Sequence, residues 1–106
     1  MSEGFGGGRP SAVYLPLWHY LGGENIEGNG ANQLATIPAA ATIVEIDAEG
    51  GDVYYTVNGM GENSGFVPEN GGRIIGPLVN LTSIGFNIAV GVTAHIMYFR
   101  EYTKRV

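Results

Sequence analysis

The chain has 106 residues, enough for one domain and too few for two. Hydrophobic residues make up 44%, which argues against wholesale disorder, yet formally charged residues are only 14%, well below the usual ~25%. The absence of cysteine excludes a disulfide scaffold, a zinc ribbon and a thiol nucleophile, and a net charge of −5 argues against electrostatic binding to nucleic acid.

Residues 1–10 hold Gly4, Gly6, Gly7, Gly8 and Pro10. Ordering such a segment costs much backbone entropy, so it is expected to be a flexible N-terminal arm until a partner holds it. Phe5 is its large apolar anchor and Arg9 its one base. No apolar run precedes the domain, so no signal peptide is expected. Residues 11–106 then read as a single domain built from short runs of period two.

In Ala12–Leu21, Val13, Leu15, Leu17, His19 and Leu21 fall on one face, and Tyr14, Pro16, Trp18 and Tyr20 on the other. Pro16 cannot donate to a ladder, which predicts an edge strand or a broken one. Ala41–Asp47 sets Thr42, Val44 and Ile46 against Ile43, Glu45 and Asp47. Asp52–Asn58 turns Val53, Tyr55 and Val57 inward. Arg73–Val79 is a short run interrupted by Pro77. Leu81–Val90 aligns Thr82, Ile84, Phe86, Ile88 and Val90. Val92–Tyr102 is apolar on both sides, which predicts a central strand or one covered on both faces.

Turn signals separate these runs: Asn29-Gly30, Asn58-Gly59 and Asn70-Gly71, with Gly22-Gly23, Gly50-Gly51 and Gly71-Gly72 as further breaks. Asp47–Asp52 (DAEGGD) reads as a hairpin connection. No long stretch has helical periodicity with caps. The expected fold is therefore all-β: an antiparallel β-sandwich, jelly-roll or Ig-like.

Few residues offer chemistry. Ile74–Phe99 contains no formally charged residue, but its glycines, proline and β-branched residues suit two buried strands better than a membrane span. His95, inside an apolar run, reads as a hydrogen-bonded core or interface histidine, and neither it nor His19 has a local acid or nucleophile at catalytic spacing. Glu45, Asp47, Glu49 and Asp52 supply carboxylates, with Glu45 and Asp47 on one strand face. A solvated face is the simpler account than a glycosidase pair. Gly23-Glu24-Asn25, Gly61-Glu62-Asn63 and Glu69-Asn70-Gly71 read as turn chemistry rather than a calcium site. Gly6-Gly7-Gly8 follows no strand and opens no helix, so it is no phosphate loop. No catalytic residue, cofactor or metal is expected, and no enzyme.

Two features suggest partners. Tyr14, Trp18 and Tyr20 share a strand face that either stacks on sugar rings, packs on a protein or forms the second side of the core. The charge is also uneven: residues 1–99 carry two arginines against nine acids, whereas Arg100, Lys104 and Arg105 stand against Glu101 alone in residues 100–106. A basic tail on an acidic body can pair with a neighbouring acidic surface, although a solvated C-terminus explains it too.

The Gly-rich arm, the lack of cysteine, the low charge and the blocks FVPENGGRIIGPL (Phe66–Leu78) and AHIMYFR (Ala94–Arg100) together resemble the small all-β virion proteins of tailed bacteriophages, in particular capsid decoration (cement) proteins. The resemblance implies a jelly roll or sandwich that trimerises on the capsid surface and bridges major capsid subunits, with no catalytic residues and with synthesis in the host cytoplasm. Low charge supports assembly independently, because a chain this short leaves much apolar and amide surface to be covered by partners. The expected partners are a homo-oligomer, first of all a trimer, and the major capsid protein, with neither nucleic acid nor membrane. The expected interface residues are Phe5, Arg9, Tyr14, Trp18, Tyr20, Arg100, Lys104 and Arg105. A carbohydrate-binding sandwich that uses the aromatic face is the alternative.

Overall fold

The computed structural model describes residues 14–59 and 63–105. The expected arm of residues 1–10, with Phe5 and Arg9, lies outside them. Every regular element among the described residues is a strand, as the period-two runs predict. In chain order these are β1 (Tyr14–Glu27), β2 (Asn32–Leu34), β3 (Ile43–Glu49), β4 (Val53–Val57), β5 (Gly65–Val67), β6 (Gly72–Ile75), β7 (Ile84–Asn87) and β8 (Thr93–Arg105). All pairings are antiparallel. The strands form two four-stranded sheets, ordered β1-β8-β3-β6 and β2-β7-β4-β5.

Successive strands therefore change sheet at every connection except β4–β5. This corrects the expectation for Asp47–Asp52. The segment does not close a hairpin but carries the chain from β3 in one sheet to β4 in the other. Gly50 takes φ of +88°, and a Cβ there would come within 2.7 Å of the Gly91 carbonyl. The glycine is needed because the crossover passes close to the turn before β8.

The inward faces of both sheets share one buried cluster. Val44, Ile46 and Ala48 of β3, and Ala94, Ile96 and Tyr98 of β8, meet Val53 and Tyr55 of β4, Val67 of β5, and Ile84 and Phe86 of β7. Alternation predicted the β4 and β7 part of this cluster: Tyr54 is exposed between its buried neighbours Val53 and Tyr55, and Ile88 continues the buried row of Ile84 and Phe86. Ala48 and Val67 fell in no predicted run. Val90 departs from its predicted row, because it lies in a turn and is exposed to solvent. β8 is central, as expected, but only its even-numbered face is buried. His95, Met97 and Phe99 are half-buried on the outside of the sheet.

Gly22-Gly23 is not a break. β1 runs straight through it, with the register slipping between Tyr20, opposite Phe99, and Gly22, opposite Tyr98. Leu21 is the extra residue of a β-bulge, and Gly22 supplies its φ of +122°. The slip moves the inward parity by one, so Leu15 and Leu17 before it and Ile26 after it share a side. A strict period of two could not follow this strand past Leu21. β2 and β5, at three residues each, are too short to show any period.

Candidate functional site

The two longest strands make the most unusual part of the molecule. β3 pairs with β8 only as far as Ile43, opposite Phe99. Beyond that point Tyr14–His19 pairs with Arg100–Arg105, and no third strand lies beside it among the described residues. This two-stranded ribbon extends a body otherwise about as wide as it is deep, giving overall dimensions of 61 × 25 × 24 Å. A lone two-stranded ribbon is marginal in water, so its order depends on side chains and on its root.

The root is tied by Thr42, just before β3. Its N–H donates to the Phe99 carbonyl at 2.9 Å, its carbonyl accepts from the Leu78 N–H at 2.8 Å, and its hydroxyl accepts from the Glu101 N–H at 3.0 Å. Thr42 thus ends the three-stranded ladder with a side chain. Ile43, in register with Phe99 and through it with Tyr20, is fully buried although it lies outside the main core cluster.

The ribbon has two distinct faces. On one, Tyr20 lies opposite Phe99 and Trp18 opposite Glu101. Both aromatic rings lean on Phe99, with centroids at 5.5 Å for Trp18 and 5.7 Å for Tyr20. Trp18 remains 45% exposed and Tyr20 56%, so this face is not the second side of the core. On the other face Leu15 pairs with Lys104, Leu17 with Tyr102 and His19 with Arg100. It continues the inward side of the sheet, yet Leu15, Tyr102, Arg100 and Lys104 are all exposed. The Arg100 guanidinium stands 5.8 Å from the Tyr102 ring centroid, a cation–π distance.

Apart from Phe5 and Arg9, which lie outside the described residues, the sequence-predicted partner residues are therefore gathered on one structural element but divided between its faces. Trp18 and Tyr20 point one way, Arg100 and Lys104 the other. The backbones of Tyr14 and Arg105 pair at the ribbon tip. Leu15, Leu17 and Tyr102 were missed as partner candidates. Their signal was the alternation itself, which assigned the leucines to a strand face without revealing that the opposing sheet stops short of them.

A histidine–carboxylate pair, which no local spacing suggested, does form. Glu49 and His95 are far apart in sequence but lie on adjacent strands, with Glu49 Oε1 2.6 Å from His95 Nε2. The other ring nitrogen, Nδ1, is 2.9 Å from Asn25 Oδ1. The three side chains bridge β1, β8 and β3 across the outer surface, so His95 is hydrogen-bonded as expected and, of the core and interface positions open to it, does not take the core one. A shallow depression of about 370 Å³ lies beside it, lined in part by Tyr20, Asn25 and Met97. A histidine base needs its second nitrogen turned to a nucleophile or substrate. Here an amide oxygen occupies that position, so the geometry serves strand cohesion.

A second polar tie lies at the core edge. Tyr98 donates its hydroxyl hydrogen to Glu24 Oε2 at 2.6 Å, and the Thr36 N–H donates to the same oxygen at 2.8 Å. Burial first, then the Glu24 hydrogen bond and charge, push the Tyr98 phenol well above its ordinary value. Glu24 and Asn25 thus sit within β1 and do not form a loop site. No group of three or more His, Asp or Glu side chains converges in a metal-binding arrangement among the described residues.

Compared with protein-family models, curated proteins and solved structures, the chain matches none of them.

Proposed function

We propose that the protein is a structural virion component, a capsid decoration protein that assembles as a homotrimer and bridges major capsid subunits through the β1–β8 ribbon. The ribbon carries the reading. It presents Leu15, Trp18, Tyr20 and Tyr102, each more than 40% exposed, beside the bases Arg100 and Lys104, on a body of net negative charge. Exposed Trp, Tyr and Arg are the residue types that dominate binding energy at protein interfaces. An uncovered amphipathic ribbon gains most when a partner completes it.

The strand order supports a jelly roll as the fold type. Two sheets ordered β1-β8-β3-β6 and β2-β7-β4-β5 are what two wrapped Greek keys produce, the eight-stranded architecture of many capsid and lectin domains. An Ig-type sandwich divides its strands differently. The reading assigns no catalytic residue and no cofactor.

The test is the mass of the full-length chain by sedimentation equilibrium, together with its copy number on purified virus particles. A trimer present in many copies is expected, and Trp18→Ala with Tyr102→Ala should weaken attachment while leaving the thermal melt of the free protein in place. A chain that stays monomeric at every concentration and is missing from particles overturns the proposal.

A further inference from the structure

We propose that the outer face of the second sheet holds a binding site for a neutral oligosaccharide, separate from the ribbon and independent of the virion reading. The site begins with a row in register. Asn32 of β2 is opposite Asn87 of β7, Asn87 is opposite Tyr54 of β4, and Tyr54 is opposite Phe66 of β5. One residue from each strand thus faces outward along a line, and all four are exposed. With neighbouring strands ~4.8 Å apart, the row spans roughly 14 Å, the length of a short oligosaccharide.

One end of the row is apolar and the other is amide. The Tyr54 and Phe66 rings have centroids 5.6 Å apart and planes inclined by 32°. They are closer to coplanar than Trp18 and Phe99 at 46° or Tyr20 and Phe99 at 58°, so they offer the flatter platform. Next to them is a depression of about 370 Å³, lined by Gly30, Asp52, Tyr54, Asn63, Asn87 and Ala89. Its volume falls in the range of small-ligand sites. Gly30 and Ala89 add little bulk, leaving the polar groups accessible.

The polar groups fit hydroxyls. Asn63 and Asn87 each offer a donor and an acceptor, and a carboxylate accepts strongly. Asp52 is already oriented, because its Oδ1 accepts the Glu69 N–H at 2.9 Å, and no hydrogen bond from another described residue reaches its Oδ2. A sugar ring matches this pattern: its C–H face packs on an aromatic ring while its hydroxyls exchange hydrogen bonds with amides and a carboxylate. Charge narrows the class further. Among the described residues the lining contains Asp52 and no Lys, Arg or His, so phosphate, sulfate and uronate groups meet repulsion there.

The experiment is a titration of the isotope-labelled full chain, followed by amide chemical shifts. The probes are maltotetraose, cellotetraose and galactotetraose, with adenosine and a sialylated lactose as contrasts. At least one neutral oligosaccharide should move the Asp52, Tyr54 and Asn87 amides at millimolar concentration and leave those of the ribbon unmoved. Tyr54→Ala should weaken that binding roughly tenfold, and Asp52→Asn should weaken it too. Phe66→Ala serves as the second platform variant if Tyr54→Ala folds poorly. The proposal is overturned if no neutral oligosaccharide shifts these amides, if the shifts fall on the ribbon, if adenosine or the anionic sugar binds there in preference, or if folded platform variants bind unchanged. None of these outcomes depends on whether the chain trimerises or attaches to a particle.

Discussion

The body and the ribbon are built from the same alternating pattern, and two of their strands are continuous, yet they end in opposite states. On β8, Ala94, Ile96 and Tyr98 are buried to within 2%. Two residues further along the same face Arg100 is exposed, and Tyr102, two beyond that, is 41% exposed. Nothing in the local sequence changes as abruptly. What changes is the layer opposite, because the second sheet covers one stretch and stops before the other. Burial in a sandwich-like fold is a property of pairs of sheets, and a single strand carries only half the information.

This contrast predicts very different responses to truncation. Phe86→Ala removes a ring that is 2% exposed and should cost about 3–5 kcal/mol, a large part of the stability of a domain this size. Trp18→Ala removes a larger ring from the ribbon and should cost less than about 1 kcal/mol in the free protein. Urea midpoints of the two variants check the comparison. Equal losses would mean that the ribbon is part of the core's cooperative unit.

The Tyr98–Glu24 tie joins the edge strand to the core and should give the next largest effect. Tyr98→Phe deletes a hydrogen bond to a carboxylate, at a cost of about 1.5–3 kcal/mol. Its pH dependence has a definite sign. The folded phenol is held above its ordinary value of 10.0, so above that pH the unfolded chain releases a proton that the folded chain keeps. The contribution is complete below about pH 10 and is lost as pH rises beyond it. Wild-type urea midpoints should therefore fall more steeply than those of the variant in that alkaline range, and parallel curves would remove the linkage.

Thr42→Val tests the boundary between the two regions. It is nearly isosteric but leaves the Glu101 N–H without the hydroxyl it now donates to. A loss of about 1 kcal/mol is expected. The more telling measurement is hydrogen exchange: amides of the ribbon should exchange faster while those of β4 and β7 stay protected. Uniform loss of protection would show instead that ribbon and body open together.

How much of this was legible beforehand follows the same division. Strict alternation exposed most of the core, because Val53, Tyr55, Ile84, Phe86, Ala94 and Ile96 each obey a period of two within an uninterrupted run. It failed at Gly22, where a bulge shifts parity by one, and at Asp47–Asp52, where a glycine-rich link that looks like a hairpin carries the chain to the other sheet. Candidate interface residues were identifiable by type, since Trp18, Tyr20, Arg100 and Lys104 are conspicuous in an undercharged chain. Their meeting on one ribbon was not, because the N-terminal and C-terminal segments pair only through the sheet. The Glu49–His95–Asn25 bridge and the Asn32–Asn87–Tyr54–Phe66 row were hidden for the same reason: each is a product of cross-strand register, which joins residues that no local spacing connects.

The smallest expected effect lies on the outer surface of the body, where Glu45 and Asp47 share one face of β3 as their spacing required. The Glu45 carboxyl is held above its ordinary range, first by partial burial, then by the Asp47 charge and by a hydrogen bond with Asp47. The folded state therefore favours protonated Glu45, a contribution fully present below about pH 4.5 and lost as pH rises through the raised value. At neutral pH the ionised pair is mildly destabilising, and Glu45→Gln should raise the urea midpoint slightly. The share of the gain owed to the Asp47 charge should shrink with added salt, the larger share owed to desolvation should persist, and both should disappear in acid. A gain abolished by high salt would shift the cause from the desolvation of Glu45, a cost set by its position on β3 between β8 and β6, to the Asp47 charge alone.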